Sequence, residues 1–234
     1  PKKSYLQISN KKMYYHPSYP NQGQPALRFE TQEASFLKTQ KKRKLSKWSV
    51  YLSDDATDDE EEEVKRTVGE FPVESGSAFV LRNVKLVEIP PQIFEFSALL
   101  SLDLSRNALT SLPNDIASLS SLTHVDLSHN LLEYLPPGFY VLSTLVEVKI
   151  SSNRLRLLSP SIGRLTALKS LHLSDNRITV LPRTLADCQE LVELDVSYNQ
   201  LRDLPRSLIF LRELMLLAAW GNPLRSPLDP AADG

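Results

Sequence analysis

Serine, histidine and aspartate recur through this chain from residue 101 onward, for instance at Ser105, Asp126 and His129. Those three types could build a charge-relay nucleophile. That needs a base beside the serine, an acid that orients the base, and oxyanion donors, all in one pocket. The chain has no Gly-x-Ser-x-Gly turn to present such a serine, and its seven glycines form no phosphate-cradling loop. Its four histidines and single cysteine lack metal-ligand spacing. Cys188 occupies a position otherwise held by leucine, which suits a small buried hydrophobe. No catalytic residue, metal or cofactor is therefore expected. The chemistry that remains is binding.

The elements that would position these polar residues follow from a period. Asparagines recur every 23 residues, at Asn107, Asn130, Asn153, Asn176, Asn199 and Asn222. Around each lies one frame, as in Leu99, Leu102, Leu104, Asn107 and Leu109, or Leu145, Val148, Ile150, Asn153 and Leu155. A second half, L-P-x-x-I-x-x-L, follows most copies, as in Leu112, Pro113, Ile116 and Leu119. In L-x-L both leucines point to one face and the middle residue to the other. One such turn cannot bury its leucines alone, whereas stacked turns share a continuous core. The asparagine stands where the chain leaves the strand, and its amide can pair backbone groups of adjacent turns. The proline after the second leucine excludes a regular helix on the return stretch. In the third repeat Ser159 replaces it, so a local change of loop shape is expected there.

This pattern resembles the 23-residue intracellular leucine-rich-repeat class, the type found in Ras-associated scaffolds and in Scribble and Erbin. The resemblance covers about residues 79–224. It implies an α/β leucine-rich-repeat solenoid, a curved parallel β-sheet with an irregular, short-helical convex side, used for binding. The reading divides the chain into an extended arm (1–52), an acidic linker (53–70), an N-terminal cap with a degenerate repeat (71–98), the solenoid (99–224) and a short tail (225–234). In the degenerate repeat Phe79, Leu81, Leu86, Ile89, Ile93 and Phe96 fit the frame, while Val84 holds the asparagine position beside Asn83.

Stacking turns each outward position into a column across the concave face. The middle column of L-x-L holds Asp103, Asp126, Lys149, His172, Asp195 and Ala218; the one before it includes Glu147, Glu193 and Leu216. The column after is serine in five turns, Ser105 to Ser197, and ends in Trp220. A further column reads Arg106, His129, Ser152, Asp175, Tyr198 and Gly221. The middle of the face is acidic and could receive a basic helix or loop of a partner. The last turn is apolar, and Leu216 and Trp220 could anchor one. Arginines at Arg154, Arg156, Arg177 and Arg202, with Arg183 and Arg206 nearby, cluster on the asparagine side, where they could contact phosphate or an acidic partner.

The near-neutral total hides an asymmetry. Residues 1–52 hold eleven Lys and Arg against Glu30 and Glu33, whereas residues 53–64 hold eight Asp and Glu and no base. The arm carries unusually many aromatics for a free tail. Tyr14, Tyr15, Tyr19, Phe36, Trp48 and Tyr51 are its candidate anchors on partner surfaces. Lys41–Lys44 could contact RNA or act as a nuclear import signal. Residues 58–63 read as a solvated spacer, and Ser53 and Thr57 lie in the acidic context of acidophilic kinase substrates. A single cysteine and no Asn-x-Ser/Thr acceptor favour a reducing, intracellular compartment. No apolar run suits a membrane helix, and no small-molecule substrate is expected. The reading is a non-enzymatic scaffold, a structural or adaptor subunit of a large intracellular assembly. The ciliary axoneme is the preferred setting, with a mitochondrial or ribosomal particle next. The alternatives are a regulatory module for a phosphatase or small-GTPase pathway, and an RNA-contacting subunit of a ribonucleoprotein.

Overall fold

The computed structural model describes residues 51–69 and 78–225, together with two short strands, β1 (Gln7–Ile8) and β2 (Lys11–Lys12), which pair antiparallel. The arm residues Tyr14, Tyr15, Tyr19, Phe36 and Trp48 lie outside the described residues, as do residues 70–77 and 226–234. The arm was read without strands, so the β1–β2 pair is an addition.

Each L-x-L segment becomes a three-residue strand. These are β3 (Ala78–Val80), β4 (Ser101–Asp103), β5 (His124–Asp126), β6 (Glu147–Lys149), β7 (Ser170–His172), β8 (Glu193–Asp195) and β9 (Leu216–Ala218). They form one parallel sheet in chain order, with equivalent residues of neighbouring turns directly paired. The residue before each outward middle position is buried in every strand, from Phe79 to Leu217. Leu104, Leu127 and Ile150 are fully buried one behind the next. Each such side chain contributes roughly 1.5–3 kcal/mol by leaving water.

The asparagine column joins the turns. Asn153 Nδ2 donates to Leu127 O of the preceding turn at 2.9 Å, and its Oδ1 accepts from Leu132 N at 3.0 Å. Asn130, Asn176, Asn199 and Asn222 repeat both contacts, and Asn107 reaches back to Leu81 O, Val84 N and Leu86 N. The side chain thus satisfies backbone groups that would otherwise be buried unpaired.

The residue before each asparagine, and Asn83 before Val84 in the first turn, adopts a left-handed conformation: Asn83, Arg106, His129, Ser152, Asp175, Tyr198 and Gly221 all have φ between 51° and 69°. These positions are therefore turn residues leaving the sheet, which corrects their reading as another outward strand column. Their N–H groups continue the ladder, as from Arg106 N to Ser128 O at 2.9 Å and Tyr198 N to Trp220 O at 2.8 Å. None is β-branched, the class least tolerant of positive φ.

The return stretches contain 3₁₀ turns, at Pro91–Glu95, Asn114–Ser118, Pro137–Val141, Pro160–Arg164, Arg183–Asp187 and Arg206–Phe210. At the equivalent position each buries an apolar residue, in order Ile93, Ile116, Phe139, Ile162, Leu185 and Leu208, and Phe94, Tyr140 and Ala186 beside three of these are buried too. The loop expected to change at Ser159 keeps its shape. Ser159 has φ −63° and ψ 144°, close to the −68° and 143° of Pro182. Its Oγ accepts from Ser161 N, and the N–H that proline would lack donates to Tyr140 Oη at 3.4 Å.

The acidic segment is not an extended spacer. Asp58–Gly69 is an α-helix, α1, and Val64 on it is fully buried. Four acids in its first turn suit the positive end of the helix dipole. Thr57 caps it reciprocally with Glu60: Thr57 N donates to Glu60 Oε2 at 2.6 Å, and Glu60 N to Thr57 Oγ1 at 3.3 Å. Just upstream, Tyr51 O accepts from Val87 N and Glu88 N, Leu52 bridges antiparallel to Leu86, and Ser53 N donates to Lys85 O. Lys85 Nζ donates to Asp55 O at 2.7 Å and lies 3.6 Å from Glu60 Oε2. The hydrogen bond from the Ser53 hydroxyl holds the Asp55 carboxyl below its ordinary range against an opposing desolvation, and Lys85 adds to the lowering. Residues 51–69 therefore cap the first turn of the solenoid.

Candidate partner-binding face

The outward residues of β3–β9 form the face expected to bind. Ser101, Glu147, Ser170 and Glu193 are half-buried along one column, with His124 and Leu216 exposed. Asp103, Asp126, Lys149, His172 and Asp195 are half-buried along the next. Direct strand pairing brings these residues together as expected.

Their partners decide what each can do. Asp103, Asp126 and Asp195 each turn one carboxylate oxygen onto the backbone N–H two residues on, of Ser105, Ser128 and Ser197, at 2.9 Å. These aspartates thus close the exit from the strand, and one oxygen of each is committed to the fold. Glu147 and Lys149 pair within β6 at 2.9 Å. His172 Nε2 lies 2.8 Å from Ser170 Oγ and 4.0 Å from Glu193 Oε2. Among the described residues no hydrogen bond joins Ser105, Asp126 and His129. His129 belongs to the left-handed exit turn, and the Ser105 hydroxyl is buried without a partner.

The apolar last turn is only partly open. Leu216 is 41% and Trp220 37% exposed, but Ala218 is buried at 3%, which corrects its reading as outward. Ser105 and Ser197 are buried as well, so the serine column is not a uniform surface. Tyr198 is exposed and its ring lies against Gly221, where an added Cβ would sit 2.6 Å from Tyr198 Cδ1. The space and the positive φ together explain glycine there. Of the arm anchors, Tyr51 is described. It is half-buried and packs against the core of the solenoid, so here it serves the chain's own cap.

Two features escaped sequence reading. One is an exposed apolar ridge, Tyr134, Leu157 and Val180, on the segments that leave the sheet. These residues sit four places after successive asparagines, where other turns hold Ser111 and Asp203. The polar occupants of that column were the available signal. The other is the exposed pair Phe210 and Met215 at the end of the solenoid. Cys188 is buried, as its position implied. Its Sγ contacts Ile162 O at 3.3 Å, and burial, aided by the Asp187 charge, pushes the thiol up to about 12.

Comparison with known proteins agrees with this architecture. The sequence profile described as leucine rich repeat matches residues 77–132 and 143–201. No curated protein matches the chain. Among solved structures, it is similar to a leucine-rich-repeat protein of Leptospira interrogans, at 31% identity and TM-score 0.56 over 61% of this chain and 36% of that one. It is also similar to the Arabidopsis receptor kinase HAESA, solved with the peptide hormone IDA and the co-receptor SERK1, at 30% identity and TM-score 0.56 over 62% and 26%. A third is TLR13, solved with the RNA ssRNA13, at 28% identity and TM-score 0.55 over 62% and 21%. The chain thus spans well under half the length of each. Parallel strands, asparagine ladder, profile and neighbours agree: the chain belongs to the leucine-rich-repeat family, whose repeat domain is a protein-interaction scaffold.

Proposed function

We propose that the chain is a non-enzymatic structural or adaptor subunit of a large intracellular assembly, with the ciliary axoneme as the preferred setting. One observation carries the reading. The sheet presents a continuous outward face whose middle turns hold Asp103, Asp126, Glu147, Glu193 and Asp195 against one lysine, Lys149. A basic helix or loop of a partner fits that charge, with Leu216 and Trp220 as apolar anchors at one end. The peptide hormone bound by HAESA supports the idea that such a domain serves protein ligands.

The test is proximity labelling by the full chain in ciliated cells. It is compared with a Glu147→Lys, Glu193→Lys, Trp220→Ala variant, which spares the aspartates that close the turns. Axonemal proteins should be labelled by the parent chain and lost with the variant. Labelling of phosphatase or small-GTPase pathway proteins instead would replace this reading with the regulatory one. RNA contact is the second reading, supported by the RNA in the TLR13 structure and by the basic run Lys41–Lys44. It requires RNA binding that weakens steeply with salt.

A further inference from the structure

The edge where the chain leaves the sheet differs in chemistry from the acidic face. Arg154, Arg156, Arg177 and Arg202 are all exposed there, with exposed Arg183 at the start of the adjoining return stretch. Among the described residues none is ion-paired with a carboxylate. Backbone hydrogen bonds fix the segments side by side: Arg154 N to Leu132 O and Arg177 N to Leu155 O at 2.9 Å, and Arg225 N to Arg202 O at 2.9 Å. The guanidinium groups therefore rise from a rigid support. Alongside runs the apolar ridge of Tyr134, Leu157 and Val180, at 54%, 61% and 67% exposure. The ridge ends in an open cleft of about 800 Å³, floored by Leu181, Leu204 and prolines, with Arg183 and Arg202 on its walls and Asp203 as its one carboxylate.

We propose that this edge binds an extended acidic segment of a partner protein whose carboxylates alternate with aliphatic side chains. Carboxylates match the fork of a guanidinium at two points. Side chains of an extended peptide alternate in direction, so one set can meet the arginines while the other covers the ridge and enters the cleft. Neighbouring turns lie roughly 4.8 Å apart, so the arginines from Arg154 to Arg225 span about 14 Å, or some four residues of an extended peptide. A nucleic acid fits less well. No aromatic ring lines the cleft to stack a base, and phosphates would leave its aliphatic floor wet. The chain's own acidic helix is held at the opposite end by Leu52 and Val64, so the ligand comes from another molecule.

Fluorescence anisotropy of the full chain tests this with a labelled dodecapeptide of alternating Glu and Leu. The triple variant Arg156→Ser, Arg177→Ser, Arg202→Ser should weaken binding about tenfold. Leu157→Ser with Val180→Ser should weaken it severalfold. Glu147→Lys with Glu193→Lys on the sheet face should not weaken it, which keeps this site separate from that one. Because every variant retains the basic arm, its contribution cancels. The proposal is overturned by unchanged affinity of the triple variant, by equal binding of a Glu–Ser dodecapeptide, or by tighter binding of a uridine dodecamer lost with the same arginines. Self-association of the chain that competes with the peptide would assign the edge to the acidic helix of a second copy, and would overturn it too.

Discussion

At the residue scale the fold depends on atoms that do little by themselves. Asn153 is buried, and its amide spans two turns through Leu127 O and Leu132 N. Removing it leaves Leu132 N without its acceptor, at a cost of about 1–3 kcal/mol, while Leu127 O keeps Asn130 Nδ2 at 3.1 Å as its donor. Asn153→Ala should therefore lower the urea midpoint strongly, whereas Asn153→Asp should fall between, since it keeps the acceptor and loses the donor. Ser152 tests the exit turn separately. Its φ of 55° is tolerated by glycine and resisted by β-branched residues. Ser152→Val should lose about 1–2 kcal/mol, while Ser152→Gly should be neutral or stabilising in the same assay. Cys188 supplies a pH test. Its thiol titrates from the ordinary 9.0 in the unfolded chain but near 12 when folded. Above about pH 9 the unfolded chain has lost a proton that the folded chain keeps, so stability falls as pH rises towards 12. Alkaline unfolding curves should show that slope, and Cys188→Ala should reduce it. The native thiol should also resist alkylation until the chain unfolds.

At the element scale the N-terminal cap sets packing against charge. Lys85 is half-buried and reaches Asp55 and Glu60, but Asp55 is exposed, so solvent screens that pair. Val64 is fully buried. Val64→Asp would place a carboxylate in that apolar contact, and it should release residues 51–69 to limited proteolysis. Lys85→Met should leave the cleavage pattern nearly unchanged. Release by Lys85→Met, with protection kept in Val64→Asp, would mean that charge, and not the apolar contact, holds the cap. Phosphorylation of Thr57 would act on the same element, because its hydroxyl caps α1 by accepting from Glu60 N.

At the scale of the whole molecule, each turn contacts only its neighbours, so stability propagates along the stack. The first turn is covered by residues 51–69. The last exposes Phe210 at 63% and Met215 at 78%, and among the described residues β9 pairs on one side alone. Amide exchange should therefore be slowest in β5–β7 and fastest in β9, with protection rising inward from the C-terminal end. Uniform protection across all seven strands would show that a further element seals that end.

The repeating part of this architecture is written locally. A period of 23 residues, two-residue alternation within L-x-L and one asparagine per turn fix strand register, buried set and ladder, because each turn carries the whole instruction and its neighbours copy it. The outward set, including Asp126, Lys149 and Glu193, was legible for the same reason. What those side chains do was not. Whether Asp126 faces a partner or its own backbone depends on how the chain turns after the strand. The cap was legible only in part, since nothing periodic shows that Val64 meets the apolar end of a stack. Likewise, arginines and the Leu157 ridge become one surface only when separate turns are laid side by side. Contacts within the repeat are encoded by spacing; contacts outside it exist only once tertiary packing chooses which surfaces meet.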